Sequence, residues 1–389
     1  MATKDNTQWT GSWATTVSLM DGVALDGQTN RMIAHTSIGG ATLRVRLSNA
    51  YGLGNLNVGA AGIALREDGT TIAAGSHRAL TFNGSPTTSI APGAMAVSDP
   101  VEFDAPPLAD LAVSVFLPSR MDDQFQITGH GNSRQTNYIS TKGDFTAAAE
   151  LLVAAPTDAY LFVAGIDMLA PEGTGGIVAL GDSLTDCNIS TVDANNRWPN
   201  QLARRLVERF DNNAPGMMNQ GIGGNRIVHD ARGGSAQRRF DRDVLAQPGA
   251  SHVIVLLGIN DIRNRSRKPE EKVTATELIA GLHQMAQRAH SNGIKIFGGT
   301  MLTFENEDFN PPPGMPGLYT PEGEAIRQEV NQWIRNTDAF DAVIDFEAAL
   351  ADPAHPTQML PEYDCGDHLH PSDAGYLRMG DFIDLSLFD

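Results

Sequence analysis

Polar and apolar residues alternate along the first 170 positions. Leu43, Val45 and Leu47 interleave with Thr42, Arg44 and Arg46, and Leu111, Val113, Val115 and Leu117 repeat the period later, which is the pattern of strands with one buried face. Clusters of Gly, Asn, Pro and Ser at 49–57, 83–88 and 91–93 interrupt them, at the spacing of a β-sandwich or jelly roll. The expectation is an all-β domain over 1–172.

The period changes after the small-residue stretch 171–176. Short apolar runs at 177–180, 253–257, 294–297 and 342–346, with a weaker one at 217–221, look like buried strands. Between them Leu202, Leu206 and Val207 share one helical face, and Leu278, Leu282, Met285 and Ala289 share another that stops near Gly293. Thr320 and Pro321 suit the N-cap and first turn of a third helix, with Ile326, Val330, Trp333 and Ile334 facing inward. Alternating strands and helices predict a five-stranded parallel sheet flanked by helices over 173–389.

Two domains agree with a length of 389 residues. Apolar residues make up 41% of the chain and charged ones 19%, which excludes a disordered protein. The formal net charge of −18 makes nucleic acid and anionic membrane poor partners. No apolar run approaches the roughly 20 residues of a membrane span. The first 16 residues lack the basic start and apolar stretch of a leader. Localisation stays open, with export after removal of a leader preferred to the cytoplasm. Two cysteines, Cys187 and Cys365, are too few for a disulfide scaffold.

The first strand of the α/β part runs into Gly181-Asp182-Ser183-Leu184. Ligands bind at that edge of open α/β sheets. A serine there is placed to attack a carbonyl, with its own N–H and the helix N-terminus favouring charge on the oxygen. Taken alone, Ser183 is equally a helix cap. The weaker strand ends in a glycine-rich loop, 219–225, where backbone N–H groups can approach a ligand. The next ends in Gly258-Ile259-Asn260-Asp261, whose amide can donate to an oxyanion or serve a turn. Near the C-terminus, Asp367 precedes His370 by three residues. That spacing lets a carboxylate hold Nδ1 and leave Nε2 as a base. Cys365, Asp367, His368 and His370 are also plausible metal ligands, though their spacing matches no familiar zinc pattern.

Together these four blocks resemble the GDSL, or SGNH, hydrolase family. The resemblance implies a flavodoxin-like α/β fold, with a β-domain preceding it as in one branch of the family. It assigns the nucleophile to Ser183, the base to His370 and its orienting partner to Asp367. The oxyanion donors it implies are the N–H groups of Ser183 and Gly224 and the side chain of Asn260. The implied activity is serine esterase chemistry on short acyl esters of small molecules or carbohydrates, without a cofactor or metal.

Fold and motif do not choose the substrate. The long connection 302–320 carries Phe304, Phe309, Pro311, Pro312, Pro313, Met315 and Tyr319, which suit either an apolar pocket or a stiff solvent-side loop. A second reading makes the protein a carbohydrate binder through its jelly roll, using some of Trp9, Trp13, Tyr51, Phe82, Phe116, Phe125, Tyr138 and Tyr160. Cys187 follows Ser183 by four residues and Cys365 precedes Asp367 by two, so convergence of the two loops permits a disulfide. Two unlinked thiols are preferred.

Overall fold

The computed structural model describes residues 7–21, 25–118, 126–264, 268–308 and 318–389. The chain separates into two compact units, Met1–Thr174 with Val207–Met218, and Gly175–Leu206 with Asn219–Asp389. The segment Val207–Met218 thus groups with the residues up to Thr174.

Strand pairing described between Thr7 and Pro171 is antiparallel throughout. One sheet places Thr7–Ala14, Val163–Pro171, Gly40–Ser48 and Met95–Val97 side by side, and a second contains Asn137–Lys142, Gln28–His35, Asp110–Leu117 and Ala60–Asp68 in that order. The two period-two segments occupy interior positions in these sheets, and Leu43, Val45, Leu47, Leu111, Val113 and Val115 are fully buried. Their alternate residues do not all face water. Arg44 and Arg46 hold the buried Asp167 through Nε at 2.9 and 3.0 Å. A carboxylate without access to water needs such cations, and alternation alone cannot reveal it. Arg44 also covers the ring of Trp9 at 4.4 Å. Trp13, Phe82 and Tyr160 belong to the core, while Trp9, Tyr51, Phe116 and Tyr138 are half-buried. Phe125 lies outside the described residues.

The strands of the parallel sheet follow the spatial order Gly216–Gly221, Gly176–Gly181, Ala250–Leu256, Lys295–Gly299 and Ala342–Ile344, which is 2-1-3-4-5 by position in the chain. Register pairs Val178 with Val253, Ile254 with Phe297 and Gly298 with Val343. Ile177, Val178, Ala179 and Leu180 are all fully buried, as strands covered on both faces require. The weak run at 217–221 is an edge strand. The run at 342–346 stops at Ile344, because the Asp345 side chain accepts from Ala348 N–H and caps the helix Phe346–Leu350.

The helix Ala275–Ser291 opens with a capping box between Thr274 and Glu277. It closes at Gly293, whose φ of +70° lets the N–H of Ile294 reach the carbonyl of Ala289 at 3.0 Å. The helix Pro321–Asn336 is capped by Thr320, as its sequence predicts, but its inner face is more polar. Val330 and Ile334 are buried, Ile326 and Trp333 only half-buried, and Arg327 is fully enclosed. Arg327 donates to Glu324, Glu347 and the Met301 carbonyl, so its charge is matched and apolar periodicity misses it. No helix among the described residues is long and apolar enough to cross a membrane.

Candidate active site

Ser183 starts a single helical turn, Ser183–Asp186, at the carboxyl end of the first parallel strand. Asp182 caps that turn by accepting the Leu184 N–H at 3.0 Å. Ser183 is 5% exposed, and among the described residues its N–H has no hydrogen-bond partner.

His370 is fully buried. Its Nε2 lies 2.9 Å from Ser183 Oγ and its Nδ1 lies 2.7 Å from Asp367 Oδ2. Asp367 Oδ1 in turn accepts the backbone N–H groups of His370 at 2.7 Å and Leu369 at 2.9 Å. Burial alone would raise the Asp367 carboxyl, but the hydrogen bond and attraction of His370 and these two N–H groups hold it well below the usual carboxylate range.

His368 turns away, with Nδ1 on Asp364 Oδ2 at 2.7 Å and its side chain half exposed. Among the described residues Asp364, Cys365 and Asp367 offer ligand atoms within 4.8 Å of one another. Neither His368 nor His370 belongs to that group, so the four sequence candidates do not converge as one ligand set. The cysteines are unlinked. Cys187 is buried with Sγ donating to the Thr185 carbonyl at 3.3 Å, and burial pushes the Cys365 thiol up to about 12.

In the glycine-rich loop, the N–H of Gly221 goes to Asn219 Oδ1 at 2.9 Å and that of Ile222 to the Gly181 carbonyl at 3.1 Å. Among the described residues the N–H groups of Gly223 and Gly224 have no partner. Gly224 sits at φ +78°, a conformation that favours glycine. The loop is held from behind by Asn225, whose Nδ2 donates to the carbonyls of Arg232 and Gly234 at 3.2 and 2.9 Å. Buried Arg239 completes the clamp, donating to Asn225 Oδ1, the Gln220 carbonyl and the Gly181 carbonyl.

Asn260 projects from the short helix Ile259–Arg263, which follows Gly258 at φ +120°. Its Nδ2 donates to Asp182 Oδ2 at 3.1 Å and to the Asn225 carbonyl at 3.2 Å. Its Oδ1 accepts from Arg263 Nη1 at 3.2 Å. Neighbouring Asp261 accepts the N–H groups of Ile227 at 2.8 Å and Val228 at 3.1 Å. Burial pushes Asp182 up to about 7 and Asp261 up to about 6.

Ser183, His370 and Asp367, singled out in the sequence, are therefore joined in one hydrogen-bonded chain. Asn260 is linked to the turn that carries Ser183 through Asp182. Phe304, a candidate pocket residue, is buried against Tyr319 with ring centroids 5.0 Å apart, while Phe309, Pro311, Pro312, Pro313 and Met315 lie outside the described residues. Sequence patterns missed Asp182, Asp261, Arg239, Arg263 and Glu307 as parts of the site. The two aspartates adjoin the motif residues, which is a signal. The arginines and Glu307 carry none, because charged residues on short helices and loops ordinarily face solvent. A serine oxygen on an imidazole that is itself held by a carboxylate is the arrangement needed to generate an oxygen nucleophile.

None of the curated proteins matches the chain. Among solved structures it is similar to a protein assigned to the G-D-S-L lipolytic family from Desulfitobacterium hafniense, at 22% identity, 53% of this chain, 96% of that one and a TM-score of 0.40. An acetylxylan esterase from Geobacillus stearothermophilus shares 20% identity over 54% of this chain and 93% of that one, with a TM-score of 0.40. A protein assigned as an acylhydrolase from Bacteroides fragilis shares 18% over 56% and 89%, at 0.41. The model of the GDSL-like lipase/acylhydrolase family matches residues 179–378, a span of about half the chain that includes Ser183, Gly224, Asn260, Asp367 and His370. The chain belongs to the GDSL-like lipase/acylhydrolase family and is a carboxylic ester hydrolase.

Proposed function

We propose that the protein is a serine esterase that cleaves short acyl esters of small molecules or carbohydrates through an acyl-enzyme. The observation that carries this reading is the unbroken chain from Ser183 Oγ through His370 to Asp367, at 2.9 and 2.7 Å. His370 takes the hydroxyl proton as Ser183 attacks the ester carbonyl, then passes it to the departing alcohol. Water repeats the cycle on the acyl-enzyme. Asp367, ionised across the working pH range, holds the imidazole in the tautomer that leaves Nε2 free to accept the Ser183 proton.

The N–H groups of Ser183 and Gly224 and the amide of Asn260 receive the oxyanion. In the free enzyme both amide hydrogens of Asn260 are engaged, one by Asp182 and one by the neutral Asn225 carbonyl. An oxyanion is the stronger acceptor and displaces that carbonyl, so the donor is spent mainly on the transition state. The 2-1-3-4-5 strand order supports a flavodoxin-like sheet for 173–389. The antiparallel sheets support a sandwich or jelly roll for 1–172.

The experiment is a fluorophosphonate label followed by peptide mapping, with hydrolysis of p-nitrophenyl acetate measured in EDTA. An adduct on Ser183 and unchanged turnover in chelator are expected. Labelling elsewhere, or turnover lost in EDTA and restored by zinc, overturns the reading.

A further inference from the structure

Beyond the residues that touch the reacting atoms, the geometry points to Arg263 as the positioning residue that aims Asn260, with Glu307 as its anchor. The inference rests on Asn260 being an oxyanion donor. Arg263 Nη1 donates to Asn260 Oδ1 at 3.2 Å. A guanidinium has donors only, so the amide oxygen must face it and Nδ2 must face the opposite way. That opposite side holds two acceptors, the Asp182 carboxylate and the Asn225 carbonyl. The amide orientation is thereby dictated from both ends. A flipped amide would set its oxygen against a carboxylate and its NH₂ group against a guanidinium.

Arg263 is itself immobilised. Its Nη2 is paired with Glu307 Oε1, and the side chains of both are almost entirely buried. The other oxygen of Glu307 accepts the Leu318 N–H at 2.8 Å, which fixes the carboxylate against backbone eleven residues further on. The path from Leu318 through Glu307 and Arg263 to Asn260 thus contains no solvent-exposed link. Arg263 also attracts the Asp182 carboxylate, opposing the burial that pushes it up to about 7.

A residue that aims a transition-state donor affects turnover and leaves substrate binding nearly alone. Arg263→Met therefore lowers kcat on p-nitrophenyl acetate by about 10- to 100-fold, with KM changed by less than about threefold. The discriminating measurement is a double-mutant cycle with Asn260→Ala. Because Arg263 acts through Asn260, Arg263→Met costs less than about threefold in kcat in the Asn260→Ala background.

A full loss in that background, or a loss confined to KM, overturns the proposal while leaving the oxyanion reading intact. Full activity in Asn260→Ala overturns the oxyanion reading itself, and the proposal with it. Should Arg263→Met fail to fold, Arg263→Lys carries the same cycle. Its single ammonium keeps the charge beside Glu307 but lacks the fork that serves both partners. Its kcat falls in the wild-type background and not in Asn260→Ala, whereas equal losses in the two backgrounds overturn the proposal.

Discussion

Asp182 and Asn260, seventy-eight residues apart in the chain, meet in a 3.1 Å hydrogen bond beside the turn that carries Ser183. The first accompanies Ser183 at the end of one strand and the second follows the neighbouring strand, so two parallel strands deliver both to the same sheet edge. The contact makes Asp182 more than a helix cap. It accepts from Leu184 N–H with one oxygen and from the Asn260 amide with the other.

Burial raises Asp182 from the ordinary carboxylate range to about 7, and this has a signed consequence for stability. The folded protein keeps that proton to higher pH than the unfolded chain, so its contribution to stability falls as pH rises from about 4 to about 7 and is flat above. Asp182→Asn lacks the titration. The unfolding free energy of the wild type minus that of Asp182→Asn should fall across this window by an amount on the order of 4 kcal/mol. Urea unfolding of both proteins at pH 4.5, 5.5, 6.5 and 8 measures it, and a difference independent of pH would contradict the environment described for Asp182.

Asp367 titrates in the opposite sense. Its carboxyl is held below the usual range, so its stabilising contribution is present above about pH 4 and is lost as pH falls further. Asp367→Asn should therefore match the wild type most closely in strong acid and be less stable than it at neutral pH. The same substitution presents the wrong hydrogen to Nδ1 of His370 and should lower kcat by about 10⁴. Ser183→Ala should remove about 10⁶ in kcat, leaving only what binding and the oxyanion donors supply. Equal kcat for Asp367→Asn and the wild type would remove Asp367 from the proposed orienting role.

How far the chain's own pattern reaches is visible at individual residues. Ile177, Val178, Ala179 and Leu180 read as a buried strand because both faces are covered and the run is unbroken. Thr274 with Glu277, not singled out in the sequence, and Gly293, which was, bound their helix through chemistry confined to a few neighbouring positions. Ser183, Asn260, Asp367 and His370 were legible because each sits in a short motif. Arg327 inside the helix Pro321–Asn336, and Arg263 with Glu307 behind Asn260, were not. Their burial depends on partners 20 and 44 residues away, and no local periodicity encodes a distant counter-charge.

The glycine-rich loop supplies a prediction in which two similar substitutions part ways. A Cβ on Gly221 would lie 2.3 Å from the backbone nitrogen of Asp186 and 2.8 Å from its Cα. Backbone cannot swing aside as a side chain does, so Gly221→Ala must push the turn that carries Ser183. Overpacking of this kind costs about 1–3 kcal/mol, and displacing the nucleophile by an ångström should lower kcat by about 10². Gly224 presents the other case. Its nearest neighbour is the flexible side chain of Arg232 at 3.3 Å, which can yield. The cost of Gly224→Ala is therefore the left-handed backbone at φ +78°, about 1–2 kcal/mol. Its N–H, the proposed oxyanion donor, survives the change. Steady-state hydrolysis of p-nitrophenyl acetate and urea midpoints for the two variants separate the effects. Gly221→Ala should lose far more kcat than Gly224→Ala, and the reverse order would mean that the turn carrying Ser183 is not braced against Gly221.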